Sequence, residues 1–248
     1  MENYEKLTEK LVGWIKEKIE CANCSGAVVG LSGGIDSAVT AVLCKRAFPD
    51  NTLGVIMPCY SNRQDEEDAR LLAEEFDLAY KVVNLEKPFD SLKEVIGITE
   101  EIASDNRLAV ANIKPRLRMT TLYYHASINN ALVVGTDNRS ELKVGYFTKY
   151  GDGGIDIAPL GKLVKSQVRE LARHLDIPEN IITKAPSAGL WEKQTDEEEM
   201  GITYEELDQY ILTGDADEKV KNVVDTLHNK SKHKLQPPPT PDFTLEDM

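Results

Sequence analysis

Apolar and polar positions alternate along this chain with two different periods. Between Tyr4 and Glu20, Leu7, Leu11, Trp14, Ile15 and Ile19 recur at helical spacing among Lys and Glu, which predicts an amphipathic helix. The next apolar run, Gly26-Ala27-Val28-Val29-Gly30-Leu31, is short and rich in β-branched residues, and reads as a strand. A glycine turn follows, then a helix over Ser37–Phe48 that Pro49 stops. The same unit recurs: a strand over Thr52–Met57 ended by Pro58, and a helix over Arg63–Phe76 with Ala69, Leu72, Ala73 and Phe76 on its inner face. A third strand is expected over Tyr80–Asn84, helices over Glu86–Val95 and Glu101–Asn129, and a wholly apolar fourth strand over Ala131–Gly135. Pro115 kinks the long helix or starts a segment within it. Short apolar strands alternating with amphipathic helices indicate a parallel sheet covered on both faces.

Beyond Gly135 the pattern changes. Residues 145–163 hold five glycines and little periodicity, as a substrate-facing loop would. A helix is expected over Val164–Leu175, a mobile segment over residues 184–200, and helices over Tyr204–Leu212 and Ala216–Asn229. The proline-rich stretch from Gln236 to Pro241 predicts an extended C-terminal tail over residues 236–248. With no repeat and no linker, the expectation is one α/β domain over residues 1–248. Its core would be a single doubly wound parallel sheet with flanking helices.

Composition narrows the partners. With 41% hydrophobic and 29% charged residues, the chain has the make-up of an ordinary globular protein. No apolar run reaches the roughly 18 residues that a membrane helix needs, and the N-terminus lacks the basic and apolar stretches of a secretory signal. A cytoplasmic protein is expected. Twenty-nine basic against 42 acidic side chains leave a net charge of −13, which argues against a nucleic-acid partner. A small phosphorylated ligand held by a few local cations stays compatible with it. Cys21, Cys24, Cys44 and Cys59 do not make a disulfide framework, and the lone Cys-x-x-Cys lacks the further ligands of a zinc or iron–sulfur site.

The candidate chemistry starts at Gly30-Leu31-Ser32-Gly33-Gly34-Ile35-Asp36-Ser37, between a predicted strand and a predicted helix. Adjacent glycines let backbone pass close to a ligand, and helix N-terminal N–H groups attract an anion. Ser32 and Ser37 offer hydroxyls. Asp36 would repel a bare phosphate, and a Mg²⁺ ion shared by carboxylate and phosphate oxygens would resolve the conflict. Neither a Walker A nor a dinucleotide Gly-x-Gly-x-x-Gly motif is present. A helix-capping glycine turn is the plainer alternative.

The Ser-Gly-Gly-x-Asp-Ser string resembles the PP-loop of the ATP pyrophosphatases. Four further blocks, at residues 112–119, 135–141, 145–156 and 184–190, resemble the ammonia-dependent NAD⁺ synthetases, in that family's order. The resemblance implies an adenine nucleotide alpha hydrolase-like fold. It also implies a ligase that adenylates the nicotinate carboxylate of deamido-NAD⁺ with ATP, then lets ammonia displace AMP. Asp36 and Glu141 match family positions that bind Mg²⁺ and serve catalysis. Residues 30–37, Thr136, Lys165 and Ser187 match ATP contacts. Arg116, Lys149, Asp156, His233 and Lys234 match deamido-NAD⁺ contacts, with Arg118 as a second guanidinium close by. Pro115 stands where the family usually has a small residue.

The family resemblance further implies a homodimer, and the apolar residues Leu108, Val110, Met119, Leu122, Tyr123 and Tyr124 exceed what one face of a monomer needs. The water-sensitive adenylate calls for closing loops, for which residues 184–200 and 84–86 are the candidates. The other enzyme reading is a tRNA-thiolating PP-loop protein using Cys59, and the non-enzymatic one is a nucleotide-binding module without turnover. The first predicts a basic surface and an RNA-binding appendage. The second leaves Asp36 and Glu141 without a purpose.

Overall fold

The computed structural model describes residues 2–187, 189–191 and 194–244. Helix α1 (Glu2–Cys21) leads into strand β1 (Gly26–Leu31), helix α2 (Ile35–Ala47), β2 (Thr52–Ile56), α3 (Arg63–Glu75) and β3 (Ala79–Val82). Helices α4 (Glu86–Val95), α5 (Glu100–Asp105), α6 (Arg107–Ala111) and α7 (Ile113–Ile128) precede β4 (Ala131–Val133). The rest is helical: α8 (Arg139–Val144), α9 (Lys165–His174), α10 (Glu179–Ile182), α11 (Asp196–Met200), α12 (Tyr204–Thr213) and α13 (Glu218–Ser231), with a 3₁₀ turn at Lys232–Lys234.

All strand pairs are parallel, in the order β3-β2-β1-β4. Side chains alternate across the sheet, so each strand feeds two cores. Ala27, Val29 and Leu31 pack with α1, α2 and α9, whereas Val28 meets Val55, Val133 and the α4 and α7 side. Buried on both faces, these strands carry the near-continuous apolar runs seen in the sequence. Leu171 of α9 and Leu175, which caps its C-terminus, are fully buried in the first core, each worth about 1.5–3 kcal/mol of apolar transfer. A third cluster joins α8, α12 and α13 through Val144, Tyr204, Leu207, Val220 and Val224.

The order of the strands matters for function. From β1 the chain winds outward to β2 and β3, then returns to place β4 on the other side of β1. The loops after β1 and β4 therefore diverge at a topological switch point, where open α/β sheets take their ligands.

Several elements depart from the sequence reading. The helix expected over Glu101–Asn129 is three helices, broken at Asn106 and Asn112. Asn112 is held by a bond from Thr148 Oγ1 to its Oδ1 (2.8 Å), a tertiary contact that local periodicity cannot show. The fourth strand stops at Val133, and Val134 forms a bridge with Ile157 instead. Helix α8 has no counterpart in the sequence pattern, its six residues being too few for a period. Part of the segment expected to be mobile is helix α11, and Ala188, Glu192 and Lys193 of that segment lie outside the described residues. So do Leu245–Met248 of the expected tail.

Candidate active site

A cavity of about 680 Å³ opens at the switch point. Ser32, Gly34, Ile35, Asp36 and Ser37 line it from the β1–α2 turn, Thr136 and Glu141 from the β4–α8 segment, and Lys165 from the start of α9.

The turn is built by its own polar atoms. Ser37 Oγ donates to Gly34 O (2.9 Å) and accepts from Ser32 N (3.2 Å), while Ser32 Oγ lies 3.0 Å from Ser37 Oγ and accepts from Gly34 N (3.2 Å). With the Ser37 proton on Gly34, the Ser32 proton goes to Ser37. Both hydroxyls thus shape the loop, where the sequence reading had them offered to a ligand. Gly33 sits at φ +76°, and a Cβ there would lie 2.1 Å from Asp65 O. Only glycine fits that bend. Gly34 caps α2 without a side-chain acceptor, which leaves the N–H groups of the first turn for an anion.

Asp36, Glu141 and Lys165 meet in one cluster. Lys165 Nζ lies 2.5 Å from Asp36 Oδ2 and 3.2 Å from Glu141 Oε1. Asn138 completes it: Nδ2 donates to Asp36 Oδ1 (2.9 Å), and its backbone N–H donates to Glu141 Oε2 (3.1 Å). Asn138 Oδ1 accepts from the N–H groups of Ser140 and Glu141, so Glu141 forms half of a capping box that fixes its rotamer. Tyr204, buried in the third cluster, donates its hydroxyl toward Glu141 Oε1 (3.2 Å) and Asp196 Oδ2 (3.0 Å).

Acidic groups outnumber the lysine. Burial pushes the Glu141 carboxyl up to about 7, against the pull of Lys165 and with the push of Asp36. Burial together with the charges of Asp152, Glu141 and Asp36 drives Asp137 well above the carboxylate range, and Asp196 is raised by burial too. Burial disfavours the charge on Lys165, but Asp36 and Glu141 outweigh it and hold the ammonium firmly protonated. Asp137 Oδ2 and Asp196 Oδ1 are buried without a hydrogen-bond partner. No three acidic, His or Cys side chains among the described residues form a ready-made metal cage. Two converging carboxylates with orphaned acidic oxygens nearby do fit a hard cation whose other ligands are phosphate and water oxygens.

The other predicted contacts divide into two groups. Ser187 lines the cavity from the 184–191 segment, and Lys234 lines it from the 3₁₀ turn. Lys234 Nζ is spent on Gly145 O (2.7 Å) and Phe147 O (2.8 Å), and burial holds its pKa down. Arg116, Lys149, Asp156 and His233 do not line the cavity. Three of them form a chain beside it: Arg116 Nη2 donates to Lys149 O (3.4 Å), and Lys149 Nζ to His233 O (2.6 Å). Asp156 accepts from Tyr123 Oη (3.0 Å) and from Val133 N (2.8 Å), closing off the end of β4.

The resemblance gives Arg116 the substrate contact and Arg118 a supporting place, yet of the two only Arg118 reaches the cavity. Arg118 lines the cavity and donates to Met57 O and Ser61 Oγ (both 3.2 Å). Lys184, read only as part of a block, binds Asp65 (2.5 Å) and Asp68 (2.7 Å) at the cavity wall. Tyr204 and Asp196 had no local signal at all. Cys59 is fully buried, its Sγ donates to Leu85 O, and burial pushes the thiol up against the pull of Arg118 and Lys114. Such a thiol is a poor sulfur carrier.

The NAD synthase family model matches residues 7–238. The NH(3)-dependent NAD(+) synthetase of Carboxydothermus hydrogenoformans is 56% identical over 240 residues, covering 96% of this chain and 98% of the relative. The NMN synthetase of Francisella tularensis superposes with a TM-score of 0.91 at 40% identity, over 97% of this chain and 99% of that one. The NH3-dependent NAD synthetase of Campylobacter jejuni does so with 0.79 at 33%, over 96% and 99%. With its parallel sheet, its glycine bend and its carboxylate–lysine cluster in place, the chain belongs to the NAD synthase family.

Proposed function

We propose that the chain makes NAD⁺ from deamido-NAD⁺, ATP and free ammonia, splitting ATP into AMP and pyrophosphate through an adenylated nicotinate. The observation that carries this reading is the meeting of Asp36, Glu141 and Lys165 beside a helix start with free N–H groups. The triphosphate lies along the bend at residues 30–37, with Thr136, Lys165 and Ser187 reaching it. Asp36 and Glu141 would hold Mg²⁺, which would supply positive charge against the triphosphate oxygens. Lys165 holds the two carboxylates together and keeps its own proton. The dinucleotide enters past Lys234, and Arg116, Lys149, Asp156 and His233 grip its far end. Alignment of two bound anions and fixed charges supply most of the rate.

The family's homodimer is part of this reading. Tyr124 and Ile128 are each more than half exposed along α7, as a second copy would require. Leu108, Met119 and Leu122, expected in that surplus, line the cavity instead. We place the enzyme in the cytoplasm; among the described residues no helix is long and apolar enough to cross a membrane.

Incubation with ATP, Mg²⁺, deamido-NAD⁺ and NH₄⁺ should yield NAD⁺, AMP and pyrophosphate in equal amounts, and glutamine should not replace ammonia. ADP as the spent nucleotide would overturn the reading. The likeness to the Francisella NMN synthetase favours a second reading, in which the acid is nicotinate mononucleotide and the product NMN. Competition between the two acids in one reaction separates them.

A further inference from the structure

The cluster of Glu141 and Lys165 is carried by two helix starts, α8 and α9, from distant parts of the chain. Asn138 caps the start of α8, and Arg139 N–H donates to Leu163 O (2.8 Å) on the approach to α9. Further in, the turns that carry Glu141 and Lys165 must still be held to one another. Helix α12 lies behind them, and two of its buried residues, one turn apart, face them: Tyr204 and Asp208. Tyr204 reaches the Glu141 carboxylate itself.

Asp208 touches neither site residue's side chain. Its Oδ1 accepts from Ser140 Oγ at 2.5 Å, and its Oδ2 accepts from the backbone N–H of Ser166 at 2.7 Å. Ser140 immediately precedes Glu141, and Ser166 immediately follows Lys165. Ser140 Oγ in turn accepts from the backbone N–H of Lys165 at 3.2 Å. One carboxylate thus closes a ring through both helix starts, with Ser140 donating to Asp208 and accepting from Lys165. The acid sits where a helix N-terminus favours negative charge. Charge-assisted bonds of this kind are short and directional.

We propose that Asp208 is a positioning residue for the amidation, one that sets the reach of Lys165 to Glu141 and Asp36. The inference rests on the proposed roles of those three groups. Its consequence is that removing the Asp208 charge slows turnover by loosening Lys165, although Asp208 is never in contact with substrate.

Asp208→Asn keeps the shape and can still accept from Ser166 N–H, but it leaves the Ser140 hydroxyl proton without its acceptor. The expected result is a fall in kcat of tenfold or more, a KM for deamido-NAD⁺ within twofold, and partial rescue in Asp208→Glu. A purely structural role would lower stability and leave these ratios alone. The decisive measurement is a double-mutant cycle with Lys165→Met. If Asp208 acts through Lys165, the double variant is no slower than Lys165→Met alone, within twofold. Losses that multiply, or an Asp208→Asn enzyme as fast as the parent, overturn the proposal. Should Asp208→Asn not fold, Ser140→Ala removes the same bond from the other side and is read by the same cycle. A parent protein that makes no amide would instead sink the functional reading.

Discussion

The ammonium of Lys165 lies 2.5 Å from the carboxylate of Asp36, a residue 129 positions earlier in the chain. Asp36 belongs to the start of α2 and Lys165 to the start of α9, so the contact fastens the two sides of the switch point. Breaking it from either side exposes the same weakness. Lys165→Met leaves Asp36 and Glu141 facing each other without a counter-charge. Its kcat should fall by about 10²–10³, the usual loss for one electrostatic group aimed at developing charge. Asp36→Asn should fall as far, and added Mg²⁺ should not restore it. Steady-state rates with AMP release as the readout check both, and an Asp36→Asn enzyme at parental speed would remove this carboxylate from the chemistry.

Gly33 supplies a test of the bend that is independent of any charge. Its φ of +76° is open to other residues only with strain, and its missing Cβ is the space that Asp65 O occupies at 2.1 Å. Gly33→Ala should therefore move either the loop or the start of α3. The strain is of the order of 1–3 kcal/mol. We expect the KM for ATP to rise at least tenfold, with the KM for deamido-NAD⁺ little changed. Parallel changes in both constants would mean that the loop serves the whole cavity and not the triphosphate alone.

The four strands and the first four helices were legible because each rule involved is local. Val28 and Val29 face opposite cores, and a wholly apolar run shows that without any partner being known. The glycine bend was legible for the same reason. What escaped was set by contacts far along the chain. Asn112 interrupts a good helical pattern because Thr148 bonds to it. Asp196 is held in order by Tyr204, whereas its surroundings read as loose polar sequence. Lys165 came from family likeness, since a lysine opening an amphipathic helix has no local mark. The outer group, with Arg116, Lys149 and His233, is expected from the resemblance at the dinucleotide and stands beside the cavity, a placement no local pattern shows.

That separation makes its own prediction. Lys149 holds the carbonyl of His233, and Lys234 next to it is tied to Gly145 and Phe147. Lys149→Ala and Lys234→Met should each raise the KM for deamido-NAD⁺ severalfold, while the KM for ATP stays within twofold. Arg116→Ala should behave in the same way. If Lys149→Ala or Arg116→Ala raises the KM for ATP instead, the outer group belongs to the triphosphate site.

His125 sets an acid limit on stability away from the site. The ring is buried on α7, its Nδ1 has no partner, and burial, with Lys81 adding to it, holds the pKa below the ordinary value of 6.5. A base whose folded pKa is depressed binds fewer protons in the folded state than in the unfolded one. Stability then rises with pH across that interval, is complete above about 6.5, and is lost as pH falls toward the folded value. Replacing the ring with one that cannot titrate should flatten this dependence. Melting temperatures of His125→Phe and the parent, measured from pH 5 to 7.5, should converge at the acid end. The variant should lose less between pH 7 and 5 than the parent does. An unchanged slope would mean that the acid sensitivity in this interval resides elsewhere; the paired carboxylate Asp68 acts only below it. Three bonds from Lys184, Gln64 and Asn180 outweigh the effect of burial there and hold its pKa down. Its contribution is lost only at lower pH, as the carboxylate protonates.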